Sequence, residues 1–309
     1  MADLTTSVGA VSLTTPVIAA SGTYGYGTEY DGLIDWSLVG GVSVKGISLE
    51  PSGGHEAPRM VETAAGMLNS IGLQNIGLRA FLEERLPRLR ELGPRVVVNC
   101  WGNTVAEYEA VVEKLDGAAG QGIDALEINV SSPNKREWEK LGGIPGADPA
   151  ATAEIVSRVR ARTSLPLWVK LSPNVYDIAE VARAAEGAGA DALSLINTLK
   201  GMAIDVESAR PALSNLSGGL SGPAIKPVAL YMVYEASRAV SIPVVGLGGI
   251  VSGRDAAEFL MAGAVAVGVG TANLYDPAAP ARISRELGKL MDKLGYGSVA
   301  ELTAMATQF

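Results

Sequence analysis

The chain has 309 residues, 48% of them hydrophobic and 19% charged, which is ample for a large core and too apolar for a disordered chain. Its net charge of −8 argues against a nucleic-acid partner, because a negative surface repels phosphate backbones. One cysteine, Cys100, and one histidine, His55, exclude an intrachain disulfide and any Cys/His zinc or iron–sulfur site built from this chain alone.

Met1 to Ser7 has no basic stretch leading into an apolar run, so no signal peptide is expected. No uninterrupted apolar stretch is long enough for a membrane span. Together with the single cysteine, this points to the cytoplasm. The segment from Leu4 to Leu13 predicts a hairpin that closes the bottom of the fold.

Eight short apolar runs follow in chain order: Pro16 to Ser21, Leu38 to Lys45, Arg95 to Cys100, Ala125 to Val130, Leu167 to Leu171, Ala192 to Asn197, Pro243 to Gly248 and Val265 to Val269. Runs this apolar predict strands buried on both faces, as in a parallel sheet. Helical patterns separate them. Phe81, Leu82, Leu86 and Leu89 form one apolar stripe. Asp148-Pro149 reads as an N-cap with proline in the first turn, and Ser252 with Asp255 opens another helix that stops near Gly263. The string Gly122-Ile-Asp-Ala-Leu-Glu-Ile-Asn129 resembles Gly189-Ala-Asp-Ala-Leu-Ser-Leu-Ile-Asn197, and Gly263 to Gly268 is a looser copy: one βα unit repeats. Eight strands alternating with helices predict a (β/α)8 TIM barrel, with an open doubly wound sheet as the alternative. No composition break marks a second domain, so residues 1–309 read as a single barrel domain.

Three strand-to-helix connections are long: Gly46 to Leu73, Ser131 to Asp148 and Thr198 to Gly222. All lie on the carboxyl face, where barrel enzymes keep their chemistry. On the same face, Gly248-Gly249 ends the seventh run and Gly270-Thr271 the eighth. Backbone N–H groups of two glycine turns, joined by the helix N-terminus at Ser252, would cradle a phosphate. Neither turn has the spacing of a dinucleotide fingerprint. Lys45 and Lys170 end two strands, and an ammonium in an apolar strand end suits an anion or developing negative charge. Asn99, Asn129 and Asn197 end three more, with Asn134 and Asn69 in loops; grouped amides suit a polar planar heterocycle. Ser132 could move a proton if partnered, although a loop serine is in most cases structural. His55 sits in a Gly/Pro-rich loop and reads as solvated, so a Ser-His-Asp hydrolase is not expected.

Four strings taken together resemble the dihydroorotate dehydrogenase family: Gly66-Met-Leu-Asn-Ser-Ile-Gly-Leu-Gln-Asn75, Asn129-Val-Ser-Ser-Pro-Asn134, Gly218-Gly-Leu-Ser-Gly-Pro-Ala-Ile-Lys-Pro227, and the pair Gly248-Gly249 with Gly270-Thr271. They are most similar to the class 1 B-type, NAD-linked catalytic subunits. The resemblance implies FMN on the barrel. Gly248, Gly249, Gly270 and Thr271 would take its phosphate, and Ser21, Gly22, Lys45, Gly46, Asn99, Asn129, Lys170, Ile196 and Gly222 would line the remainder. It implies dihydroorotate at Lys45, Asn69, Ser70, Ile71, Gly72, Leu73, Asn129, Asn134, Asn197 and Thr198, with Ser132 as catalytic base and Lys45 at the reacting centre. Class 1 members usually carry cysteine at the position of Ser132, while serine is typical of membrane-associated class 2; the membrane-binding extension of class 2 is not found here. The resemblance also implies a dimer of catalytic subunits within a heterotetramer, whose partner subunit carries FAD and a 2Fe-2S cluster and passes electrons to NAD. Two other readings stay open from the residues: a different FMN barrel reductase acting on dihydropyrimidines, and a phosphate-binding barrel isomerase or lyase without flavin.

Overall fold

The structure, a computed structural model, describes residues 2–133 and 143–308. An antiparallel hairpin comes first, β1 (Thr6–Val8) paired with β2 (Val11–Leu13). The barrel strands are β3 (Val17–Ala19), β4 (Gly41–Ser43), β7 (Arg95–Cys100), β8 (Ala125–Asn129), β9 (Leu167–Lys170), β10 (Ala192–Leu195), β15 (Val244–Leu247) and β16 (Ala266–Val269). Each falls within one of the eight predicted runs. They are parallel, neighbour each other in chain order, and β16 closes onto β3. The closed barrel, rather than the open sheet, is therefore the architecture.

The connecting helices form where the sequence supplies start signals. Asp148 caps α4 (Pro149–Arg160), its carboxylate accepting from Ala151 N, and Pro149 stands where no N–H is needed. Ser252 caps α7 (Gly253–Met261), accepting from Asp255 N while its hydroxyl donates back to the Asp255 carboxylate. The stripe at Phe81 to Leu89 is helical, but the helix is not uniform. It runs as α1 (Leu78–Ala80), a π turn (Phe81–Arg85) and α2 (Leu86–Leu92). Pro87 has no N–H for the regular ladder, and the wider turn just before it accommodates the break.

The predicted hairpin closes the lower mouth of the barrel. Val8, Val11 and Leu13 are buried against Ile18, Val97, Ala125, Trp168, Ala192, Val245 and Ala266. At the opposite mouth, two of the three long connections contain strands: β5 (Met60–Thr63), β6 (Gly66–Asn69), β11 (Leu199–Gly201), β12 (Ile204–Asp205), β13 (Arg210–Pro211) and β14 (Gly218–Ser221). Four of them assemble an antiparallel sheet in the order β11-β14-β6-β5, and β12 pairs with β13. Its register places Asn69 opposite both Met60 and Gly219. Among the described residues no helix is long and apolar enough to cross a membrane.

Candidate active site

Side chains alternate along a strand, so every second residue of each barrel strand points inward. On β7 these are Val97 and Asn99, on β8 Ala125, Glu127 and Asn129, on β9 Trp168 and Lys170, and on β10 Ala192 and Ser194. The first of each set packs on the hairpin. The next ones are polar and bond to each other across the barrel. Glu127, 3% exposed, is their centre. Its Oε2 accepts from Ser43 Oγ at 2.8 Å and Asn99 Nδ2 at 2.5 Å, and its Oε1 from Ser194 Oγ at 2.7 Å. Lys170 Nζ lies 3.9 Å from Oε2 and donates to Ser21 Oγ at 2.9 Å. Burial pushes the Glu127 carboxyl up, but Lys170 and the three hydrogen bonds outweigh it and hold the group below the usual carboxylate range.

The polar bonding continues along the barrel rim. Asn129 Nδ2 donates to Asn99 Oδ1 at 3.4 Å, and Asn129 Oδ1 accepts from Ser131 Oγ at 3.1 Å. Ser131 Oγ accepts in turn from Asn197 Nδ2 at 2.9 Å, and Asn197 Oδ1 accepts from Thr198 N at 2.8 Å. Tyr108 fixes the main chain beneath, its Oη donating to Asn129 O at 2.7 Å.

Above this layer lies a cavity of about 310 Å³. Its walls bring together nearly all the predicted residues. Ser21, Gly22, Lys45, Gly46, Asn99, Asn129, Lys170 and Ile196 line it from the barrel strands. Gly222, Gly248, Gly249, Gly270 and Thr271 close one end. Asn69, Ile71, Gly72, Leu73, Ser132, Asn197 and Thr198 close the other. Gly249 has φ +72, and an added Cβ would stand 2.8 Å from Gly222 O, so only glycine makes this turn. Beside Gly22 and Gly270, in contrast, an added Cβ would meet no protein atom and would occupy the cavity itself. Burial, reinforced by the Arg59 charge, pulls the Lys45 ammonium below its usual range.

Four expectations need correction or fall outside the description. Ser70 does not line the cavity; it is fully buried, with its hydroxyl engaged by His55 Nδ1 at 2.9 Å and Asn215 Nδ2 at 3.1 Å. The alternation that turns Asn69 and Ile71 inward turns Ser70 away. His55 is accordingly a half-buried partner of Ser70 and not a solvated loop residue. The N-terminus of α7 is not part of the cavity wall, because Val251 N donates to Asp255 and Gly253 N to Glu286. Asn134 lies outside the described residues. Sequence reasoning missed Glu127, although a lone charge inside the apolar run Ala125 to Val130 was its signal. It also missed Gln74, which lines the cavity and accepts from Arg59 at 2.9 Å.

A closed parallel barrel whose carboxyl mouth holds a walled cavity with two ammonium groups, five side-chain amides and glycine turns is a barrel enzyme with a site for an anionic small molecule. The dihydroorotate dehydrogenase family matches residues 3–291, and the chain belongs to that family. It is 50% identical over 301 residues to a protein of Geobacter sp. (strain M21), 97% of each chain being covered, and 51% identical over the same length and coverage to one of Geotalea daltonii. A Desulforamulus reducens relative is 50% identical over 305 residues, 98% of each chain. All three are named dihydroorotate dehydrogenase B (NAD(+)), catalytic subunit.

Proposed function

We propose that this chain is the catalytic subunit of an NAD-linked dihydroorotate dehydrogenase that oxidises (S)-dihydroorotate to orotate in pyrimidine biosynthesis, using FMN. The observation that carries this reading is the cavity itself: Lys45 and Lys170 share it with the amides of Asn69, Asn99, Asn129 and Asn197. The residues fit FMN. Gly248, Gly249, Gly270 and Thr271 would hold its phosphate, with room left by the missing Cβ of Gly270. Ser21, Gly22, Gly46, Asn99, Lys170, Ile196 and Gly222 would hold the remainder. FMN, when bound, supplies a two-electron acceptor.

The chain's own groups do the rest. Lys45 opposes the substrate carboxylate, while Asn69, Asn129, Asn197 and the Ile71 to Leu73 backbone meet the pyrimidine edges. Thr198, and Asn134 by resemblance, complete that side. Lys170 places positive charge where negative charge develops as electrons leave C6. Ser132 takes the proton from C5, in the place where class 1 members usually have cysteine. A hydroxyl is a weak base, so the proton must be passed on. Ser131 is already committed, donating to Asn129 and accepting from Asn197, which leaves Thr198 or water as the carrier.

The electrons' onward route lies in another subunit. Cys100, the single cysteine, is fully buried, so this chain cannot supply the thiolates of a 2Fe-2S cluster. The relatives are named catalytic subunits of NAD(+) enzymes, which supports a partner carrying FAD and that cluster, in a heterotetramer around a dimer of this chain. Anaerobic mixing of the yellow chain with dihydroorotate is expected to bleach it, and NAD added to the chain alone should not restore the colour rapidly. A chain that holds FMN but stays yellow with dihydroorotate would favour a reductase of other dihydropyrimidines. A chain that takes up no FMN would point to a flavin-free isomerase or lyase.

A further inference from the structure

Glu127 is a buried charge that the chemistry above leaves unused. Groups from four neighbouring elements face it: Ser43 on β4, Asn99 on β7, Lys170 on β9 and Ser194 on β10. The Cys100 thiol also feels its charge. Among the described residues Lys170 is the one cation acting on it, itself 5% exposed. An ionised carboxylate only accepts hydrogen bonds, so it dictates the orientation of each donor it meets. Asn99 must turn Nδ2 to Glu127 and Oδ1 outward. Asn129 must then offer Nδ2 to Asn99 and keep Oδ1 for Ser131. Ser131 must point its hydrogen at Asn129, so Asn197 can only donate to it. The side-chain oxygens of Asn99, Asn129 and Asn197 each already accept a hydrogen bond within the chain, the last from Thr198 N, so what these three amides offer a ligand first is amide hydrogen.

We propose that Glu127 is a positioning residue of this site: its negative charge offsets the positive charge of Lys170, one of the residues that would hold FMN, and its acceptor oxygens, acting through Asn99, lock Asn129 and Asn197 as donors toward the substrate. The inference rests on the FMN and dihydroorotate reading above and assigns the rim a preference for ligands rich in carbonyl and carboxylate oxygens. Two functions are thus carried by one side chain, and two substitutions separate them. Glu127→Gln keeps an acceptor oxygen for Asn99 and removes the charge. Glu127→Met keeps the length of the side chain and removes both.

The test uses the full chain loaded with FMN. Loss of the offsetting anion stabilises negative charge on the reduced ring, so Glu127→Gln is expected to raise the two-electron midpoint potential by at least about 30 mV, a tenfold shift in the reduced-to-oxidised ratio. Its orotate affinity, read from the flavin difference spectrum, should stay within about threefold of wild type, whereas Glu127→Met should weaken orotate more than about tenfold. An unchanged or lowered potential in Glu127→Gln would overturn the charge role, even if FMN occupancy or melting temperature fell. Wild-type orotate affinity in Glu127→Met would overturn the amide lock. If neither variant folds, the wild-type chain still decides the matter. Its reduced-minus-oxidised infrared difference spectrum, edited with 13C-glutamate, should contain a carboxylate stretch; a protonated carboxyl band or no glutamate signal would refute the proposal. Wild type that binds no FMN is failure of the functional reading, seen before any variant is made.

Discussion

Replacing Lys170 by methionine removes the positive partner of a carboxylate that cannot reach water. Breaking a buried pair from one side costs about 3–5 kcal/mol. Here Glu127 keeps its bonds from Ser43, Asn99 and Ser194, and the ammonium stands at 3.9 Å and not at hydrogen-bonding distance. The lower end, about 3 kcal/mol, therefore applies. With about 2.1 cal/mol/K of unfolding entropy per residue, a 309-residue unit should melt about 5 °C lower. The pH dependence carries a sign as well. In wild type the lowered pKa of Glu127 gives stability that is present above its unfolded value and lost as pH falls through the folded one. Without Lys170 the foremost influence lowering that value is gone, and the carboxyl titrates higher than in wild type. The variant's deficit is then full above the variant's value and shrinks as pH falls through it. Calorimetric melts of the flavin-free chains, from about pH 7.5 to about pH 4, should show the gap closing. Equal melting points near neutrality, or a gap constant with pH, would refute the assignment of Lys170 as the countercharge.

Gly249→Ala forces a side chain into φ +72 with its Cβ 2.8 Å from Gly222 O, and FMN affinity, followed by fluorescence quenching, should fall more than about tenfold while the barrel still folds. Lys45 titrates below its usual range, so orotate should bind more weakly as pH rises through that lowered value; Lys45→Met should weaken binding and flatten the profile, and a retained slope would exclude Lys45 as its source. Ser132→Ala should slow flavin reduction by dihydroorotate by about 10²-fold or more in stopped flow with FMN still bound, and near-normal reduction would remove Ser132 as the base. Tyr108→Phe deletes the buried bond to Asn129 O at 2.7 Å and should cost about 1–2 kcal/mol in urea unfolding, with little loss of FMN.

The barrel was legible because its strands are buried on both faces. Arg95–Cys100 and Ala192–Leu195 are mostly apolar and almost wholly buried, and such runs stand out against amphipathic helices such as Pro149–Arg160. The sheet over the mouth was not legible. Met60–Thr63 and Gly66–Asn69 are four residues each and mostly half-exposed, while Gly218–Ser221 opens with two glycines. Nothing local marks them as strands. Their pairing is a tertiary event in which segments some 150 positions apart meet, as the Asn69 Nδ2 bond to Gly219 O shows. Most of the residues that line the cavity were legible from their strand-end positions and from four family-like strings. What those strings did not convey was direction: Ser70 sits inside one of them yet faces His55.

Glu127 shows why the remainder was hidden. Reading Ala125 to Val130 as one apolar run treats Glu127 as a blemish, whereas the period of two makes it the inward neighbour of Asn129 on the same face. Applied to all four neighbouring strands at once, that period predicts a change of chemistry at a single height in the barrel. Val97, Ala125, Trp168 and Ala192 lie below it, and Asn99, Glu127, Lys170 and Ser194 lie above. The apolar layer cannot hydrate the charges above it, so they must neutralise one another. A layer that is internally satisfied has fixed orientations, and this is what allows a rim of ordinary asparagines to present one defined pattern of donors.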